Sequence, residues 1–249
     1  KDLTQGSEAK LIFKFAVPLI IGNLLQQFYN IIDSIIVGKY IGTEALAAVG
    51  ASFPIFYTLI AFIIGIGSGA TIVISQYFGA RDTEKVKQAI GTIYLFMFGA
   101  GIVLTIVGIG FSRQIFTLLN IGEEVLPYAV TYFNIYMIGM VGFFGFNGTS
   151  SVLRGLGDSR TPLLFLAIAT VANVLLDLLF IIVFEWGVAG AAWATVIAQT
   201  GAFITAVIYL NRRDHLIHFS LPRFKFDPYT FRQSVRIGLP TGFQQTFVA

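Results

Sequence analysis

Two acidic residues, Asp33 and Asp177, lie well inside long apolar stretches of this 249-residue sequence. A charged side chain near the centre of a membrane helix costs about 2.5–3.5 kcal/mol on insertion scales, so such residues usually have a function. The apolar cores contain no Lys or Arg that could pair with them. Two unpaired carboxylates should not both stay ionised in a low-dielectric setting, so we expect one to be protonated or a cation to be bound. This is the chemistry of coupling to protons or sodium ions.

Polar residues accompany both acids at helical spacing. Asn173 lies one helical turn before Asp177, on the same face of its segment. Gln26 and Asn30 likewise share a face with Asp33. For the amides alone, interhelical hydrogen bonds worth about 0.6–2 kcal/mol each are a sufficient structural explanation. The two aspartates, which have no cationic partner, favour a functional site instead.

The composition indicates that membrane helices must position these residues. Apolar residues make up 56% of the chain and charged residues 12%, and the mean hydropathy is +0.80, whereas soluble domains are about 25% charged. This composition excludes a disordered chain, a nucleic-acid-binding protein and a small secreted scaffold. The absence of Cys excludes disulfides and thiolate metal sites, and with only two His we expect no protein-only metal centre.

The apolar segments are long enough to cross a ~30 Å hydrocarbon core as helices of about 20 residues. They are continuous rather than alternating, which disfavours a membrane β-barrel. We expect an all-α membrane protein. A seventh span should start near Arg236. We also expect the chain to be a fragment, because it begins at Lys1 and stops at Ala249 inside an apolar run. The six full spans are predicted near Leu11–Val37, Ala47–Tyr77, Ile90–Phe111, Val125–Leu153, Thr161–Val183 and Val188–Leu210.

The rise of 1.5 Å per helical residue places the polar side chains in one layer. Asp33 lies about 6 Å from the outer end of the first span, and Asp177 lies about 9 Å from the outer end of the fifth. Tyr132 and Thr195 lie about 10 Å inside the fourth and sixth spans. Four helices therefore offer polar groups at one depth. The predicted ion-coupling residues are Asp33, Asp177, Asn173 and Thr195, and the predicted substrate-pocket residues are Gln26, Asn30 and Tyr132.

The distribution of basic residues predicts the orientation of the spans. Of the 16 Lys and Arg residues, all but Lys39 and Arg113 fall on one side, which is therefore cytoplasmic, as is the amino terminus. The long basic and aromatic connection after the sixth span should lie on the cytoplasmic membrane surface. The alternative is a solvated loop whose ends snorkel to the membrane surface. We divide the chain into a six-helix lobe (1–210), a linker (211–235) and the start of a second lobe (236–249).

Proline and glycine residues inside the spans add two structural expectations. Pro18 should kink the first span, because proline removes a backbone hydrogen bond and clashes with the preceding turn. A kinked helix that carries Asp33 is a candidate hinge. The glycines at 65, 67 and 69 lie mid-helix with no strand before them, so they favour close helix packing over a phosphate-binding loop.

Several segments carry a family resemblance that extends over the whole chain. They are QFYNIID at 27–33, QYFGA at 76–80, LRGLGDSRTP at 153–162, NVLLD at 173–177 and GVAGAAWAT at 187–195. In this order and spacing, they resemble the amino-terminal half of multidrug and toxic compound extrusion (MATE) transporters, most closely the bacterial DinF-like branch.

The resemblance implies a twelve-helix antiporter of two six-helix lobes, of which this chain is the first lobe plus the start of helix seven. Such a protein is not an enzyme and needs no cofactor. It exports drug-like organic compounds, often cations, across the bacterial inner membrane in exchange for H⁺ or Na⁺, and sodium would be held at Asp33 and Asp177. We expect a multi-pass monomer in the lipid bilayer with no nucleic-acid partner. In the DinF-like branch the pocket is built from residues matching Gln26, Asp33, Tyr132, Asn173, Asp177 and Thr195, and the first helix bends at the proline matching Pro18.

Three other classes of protein are alternatives. A lipid-linked oligosaccharide flippase would share the fold, but its cavity is usually lined by basic residues, and the apolar core here has none. A major-facilitator transporter should show an Asp-Arg-x-Gly-Arg loop, whereas GARDT at 79–83 lacks the later Gly and Arg. A membrane enzyme would need further catalytic groups beside the two carboxylates.

Overall fold

The computed structural model describes residues 8–213 and 224–248 and contains no strand within these ranges. Its helices are α1 (Glu8–Tyr40), α2 (Thr43–Gly79), α3 (Thr83–Leu118), α4 (Leu126–Ile138), α5 (Met140–Gly155), α6 (Arg160–Leu178), α7 (Gly187–Arg213) and α8 (Pro228–Val248). One π-helical turn, Leu179–Val183, extends α6. The all-α fold is confirmed.

The predicted six spans correspond to α1, α2, α3, the pair α4–α5, α6 with its π turn, and α7. Five helices are long and apolar enough to cross a membrane, and α4 with α5 passes the same test as a pair bent by 49°. Large apolar side chains point outward along these helices, for example Ile106 (68% exposed) and Leu175 (62% exposed). Such a continuous apolar exterior suits lipid rather than water, so the chain is a multi-pass membrane protein.

The fourth span is not the single straight helix that hydropathy predicted. It breaks between Ile138 and Met140, at Gly139. A Cβ atom on Gly139 would lie only 2.5 Å from Cγ2 of Val196 on α7. The bend therefore goes with a close approach of α7 to the α4–α5 junction, a tertiary contact that hydropathy does not report.

The seventh predicted span also differs at its start, since α8 begins at Pro228 rather than near Arg236. Asp227 caps it, because its carboxylate accepts hydrogen bonds from the backbone N–H (3.0 Å) and the hydroxyl of Thr230. These hydrogen bonds hold the pKa of the Asp227 carboxyl below its usual value. Pro at the first helical position is a signal for the start of a helix. Hydropathy does not register this signal, so it places the start of the span too late.

Much of the predicted linker can be placed, and its end is docked on the bundle. The backbone N–H of Asp227 donates to Thr92 Oγ1 on α3 (2.9 Å), and the ring of Phe224 stacks on Tyr94 with centroids 5.4 Å apart. The helix α7 continues through Arg213. Residues 214–223, which were expected on the cytoplasmic membrane surface, lie outside the described residues.

The glycine-rich run of α2 packs backbone to backbone against α8. A Cβ atom on Gly65 would lie 2.6 Å from Gly242 Cα, and one on Gly69 would overlap the carbonyl oxygen of Ser234. The third glycine, Gly67, faces Met97 and Ser151 instead. The expectation of close helix packing is thus confirmed, and the partner of two of the three glycines is α8.

We expect Gly69→Ala to destabilise this contact, because the added methyl group has no space against α8 and overpacking costs about 1–3 kcal/mol. The measurement is the Tm of the full-length protein in detergent. Gly99→Ala is the matched control, since nothing lies within 4 Å of a Cβ atom there and Ala favours a helix over Gly. An equal Tm for Gly69→Ala and the wild type would show that α2 and α8 are not in this contact.

Candidate functional site

The two intramembrane acids meet in the interior of the bundle. Asp33 on α1 is 6% exposed and Asp177 on α6 is fully buried. Their carboxyl groups face each other within hydrogen-bonding reach. The helix α1 packs on α6, and α6 packs on α7, so the pair lies where three helices meet. The structure thus brings together the two acids that the sequence placed at one depth.

The acidic pair has no basic partner among the described residues. The ion pair found among these residues joins Lys85 to Asp82 and lies on the surface. Oδ1 of Asp33 and Oδ1 of Asp177 are both buried and accept no hydrogen bond from the described part of the chain. Two facing carboxylates of this kind repel each other unless a proton or a cation is held between them. The arrangement can therefore bind and release one positive charge.

Asn173 and Thr195 hold the second carboxylate in place. With its amide oriented by hydrogen bonding, Asn173 donates from Nδ2 to Asp177 Oδ2 (2.8 Å) and accepts at Oδ1 from the backbone N–H of Thr195 (3.1 Å). The hydroxyl of Thr195 donates to the carbonyl oxygen of Ala191 (3.2 Å). One hydrogen-bonded network thus joins three predicted site residues, Asn173 and Asp177 of α6 and Thr195 of α7.

Three tyrosines surround the acids, and only Tyr132 was predicted. Tyr29 on α1 has its hydroxyl 2.9 Å from Thr195 Oγ1, and it is the donor because the Thr195 proton is directed at Ala191. Tyr132 and Tyr136 on α4 lie close enough to Asp33 to interact with it electrostatically. Their spacing offered a signal, since Tyr29 precedes Asp33 by one turn and Tyr136 follows Tyr132 by one turn.

Aromatic packing closes the site from the α2 and α4 side. Phe56 on α2 lies with its ring centroid 6.1 Å from that of Tyr132 and 4.2 Å from that of Tyr136. Phe133 stacks on the Phe56 ring, with the two ring centroids 5.0 Å apart. This wall is largely apolar, and the low dielectric of an apolar setting strengthens charge interactions beside it.

A narrow crevice opens between α1, α6 and α7 beside the acidic pair. Its free space suits a water-sized species rather than a drug-sized compound. Asn173, which donates a hydrogen bond to Asp177, is among the residues that line the crevice. Its polar lining consists of Gln26, Tyr29, Thr170, Asn173, Thr195 and Gln199.

The predicted pocket residues of α1 separate in the structure. Gln26 lines the crevice, whereas Asn30 is half-buried and lies outside its lining. The carbonyl oxygen of Asn30 accepts a hydrogen bond from Ser34 Oγ (2.8 Å). The rotation of α1 thus turns Gln26, Tyr29 and Asp33 toward α6 and α7 and leaves Asn30 at the edge of that face.

Pro18 is buried in α1, which continues through it as one helix from Glu8 to Tyr40. The ring leaves the carbonyl oxygen four residues earlier without its usual helical donor. A second irregularity lies at the other end of the site, where the π turn Leu179–Val183 directly follows the turn that carries Asp177. Isolated π turns inside helices often occur at functional sites, and hydropathy gave no sign of this one.

The oxygen atoms of the site have the chemistry that hard cations prefer. Carboxylate, amide and hydroxyl oxygens suit such ions, and the two unsatisfied Oδ1 atoms are available to one. No cluster of three or more His, Cys, Asp or Glu residues occurs in the described ranges, so a resident transition metal has no binding set there.

The chain is similar to known proteins in both sequence and fold. The MatE family model matches residues 18–179. The chain is 36% identical over 248 residues to a Bacillus subtilis protein named "Probable multidrug resistance protein YpnP", covering 99% of this chain and 55% of that one. The chain thus spans about half the length of the curated relatives it matches.

Two solved structures are also similar to the chain. They are described as MATE in the bent conformation and MATE in the straight conformation. Each has a TM-score of 0.88 and 29% sequence identity to this chain. The match to the bent structure covers 96% of this chain and 54% of that one. The match to the straight structure covers 98% of this chain and 54% of that one.

The fold and the buried acidic pair define a helical membrane protein built like one half of a two-lobed transporter. The chain belongs to the MatE family of multidrug and toxic compound extrusion transporters, which confirms the resemblance identified from the sequence.

Proposed function

We propose that the full-length protein is a secondary active multidrug efflux transporter that exchanges organic, often cationic, compounds for H⁺ or Na⁺. The observation that carries the proposal is the facing pair of buried carboxyl groups, which has no basic partner among the described residues. The name of the Bacillus subtilis relative supports export of multiple drugs. No described feature favours a lipid-linked oligosaccharide flippase or an enzyme.

Asp33 and Asp177 are the proposed ion-coupling acids, and Asn173 and Thr195 are their positioning residues. A bound H⁺ or Na⁺ relieves the repulsion between the carboxylates. When the ion leaves, the pair carries more negative charge and attracts an organic cation instead. Ion and substrate then compete for one charge-balancing role, which is the requirement for exchange. The Asn173 bridge supports this proposal because it holds Asp177 toward Asp33 in a fixed orientation.

Gln26, Asn30 and Tyr132 are the proposed substrate-contacting residues of the amino-terminal lobe. Gln26 in the crevice and Tyr132 beside Asp33 support the assignment by their positions. The crevice is too narrow for a drug in this conformation, so substrate binding requires α1 to move away from α6 and α7. Pro18, which weakens α1, is the proposed hinge of that movement.

The proposed setting is the bacterial inner membrane, with the amino terminus cytoplasmic and the protein monomeric. The uneven distribution of Lys and Arg supports this orientation.

The test is transport by the full-length protein in proteoliposomes, with a pH gradient and a sodium gradient imposed separately. We expect a fluorescent organic cation to move against its own gradient when one of the two ion gradients is present. Transport that requires ATP, or that proceeds equally without any gradient, would contradict the proposal.

A further inference from the structure

One polar residue beside the acidic pair has no role in the proposed ion site. Gln199 lies on α7 one helical turn after Thr195, so the two side chains share a face. It lines the crevice between α1, α6 and α7 together with Gln26 and Asn173. It also lines a second small crevice, beside Tyr136 at the bend of the fourth span.

The amide of Gln199 is incompletely hydrogen-bonded. Its Oε1 atom is buried and accepts no hydrogen bond from any described residue. A buried acceptor of this kind is costly to leave empty, so it is usually satisfied by a ligand or a water molecule. Gln199 lines both crevices. The first of them is also lined by Asn173, which donates a hydrogen bond to Asp177.

The acidic pair and Gln199 select for different properties of a substrate. Carboxylates attract any positive charge, whether or not it carries a hydrogen atom. An amide oxygen accepts a directional hydrogen bond and so distinguishes an ammonium N–H from a quaternary nitrogen of equal charge. A site built to hydrogen-bond a substrate group discriminates strongly against an analogue that lacks it.

We propose that Gln199 is a specificity-determining residue that accepts a hydrogen bond from the N–H group of protonated amine substrates. This inference rests on the proposed efflux function. It assigns preference among cations to Gln199 and leaves charge exchange to Asp33 and Asp177.

The test compares a protonated tertiary amine with its N-methylated quaternary analogue in proteoliposomes containing the full-length protein. Gln199→Met keeps the length of the side chain and replaces the amide oxygen by a thioether sulfur, which is only a weak acceptor. We expect its KM for the tertiary amine to rise about 5-fold, the change that one net hydrogen bond produces. The KM for the quaternary analogue should change less than about 2-fold. Gln88→Met, at an exposed position, is the control and should change neither value.

Gln199→Leu is the second variant, because it removes the same acceptor with a side chain of different shape and should raise the KM for the tertiary amine selectively, as Gln199→Met does. An equal rise in both KM values, or no change in either, would overturn the inference. Failure of the proposed function gives a different result, since the wild-type protein would then show no gradient-driven transport of either compound.

Discussion

Asp33→Asn in the full-length protein is expected to abolish gradient-driven efflux while leaving the amount of folded protein unchanged. Asparagine keeps the size and polarity of the side chain but cannot take up or release a proton, and it is a weaker cation ligand than a carboxylate. The substitution would also remove the charge interaction between residue 33 and the facing Asp177. Efflux should fall to the level of cells without the transporter, measured as drug resistance and as export of a fluorescent cation.

Asp82→Asn is the matched control for this substitution. Asp82 is an exposed acid that caps α3 by accepting a hydrogen bond from the Lys85 N–H (3.1 Å). Asparagine also caps helices well, so efflux should remain normal. Near-normal resistance in Asp33→Asn cells, at equal expression, would show that Asp33 does not couple the ion.

The second large effect is expected from Pro18→Ala, which should slow transport more than it weakens substrate binding. Alanine restores the missing backbone hydrogen bond of α1 and stiffens the helix. Under the proposed coupling, Asp33, which lies about four turns further along α1, would change charge as it binds and releases an ion. The two charge states would favour different surroundings, so we expect α1 to have two arrangements of similar energy.

Pro54→Ala tests whether any proline in a membrane helix has the same effect. Pro54 lies inside α2, which carries neither acid of the site, so its replacement should leave the transport rate closer to normal. Rates come from single-turnover uptake into proteoliposomes, and binding comes from equilibrium titration with the substrate. A normal rate for Pro18→Ala would mean that Pro18 is a packing residue and that α1 does not bend there during transport.

The membrane spans and the depth of the site residues could be predicted because both depend on position along a single helix. A fixed rise per residue turns the number of residues between Asp33 and the end of its span into a distance. The rotation of each helix depends on packing with its neighbours, which one sequence does not reveal. For this reason Asn30 was expected in the pocket, whereas the structure turns Tyr29 toward Thr195 instead.

Other features could not be predicted because they arise from contacts between distant segments. The bend at Gly139 accompanies contact with Val196, and two glycines of α2 are in contact with α8. The π turn after Asp177 leaves no pattern in hydropathy. A functional role for Gln199 could not be predicted for a simpler reason. A single glutamine in an apolar helix is compatible with ordinary interhelical hydrogen bonding, and only the structure shows that its oxygen lacks a partner within the described ranges.

In the proposed mechanism, substrate and ion move in opposite directions through competition at Asp33 and Asp177. The most direct measurement uses proteoliposomes loaded with either a pH indicator or a sodium indicator and containing the full-length protein. The organic cation is added outside with no ion gradient imposed. We expect substrate entry to drive one of the two ions outward in the wild type and to drive neither in Asp33→Asn. Substrate entry without movement of either ion, or unchanged ion movement in Asp33→Asn, would contradict it.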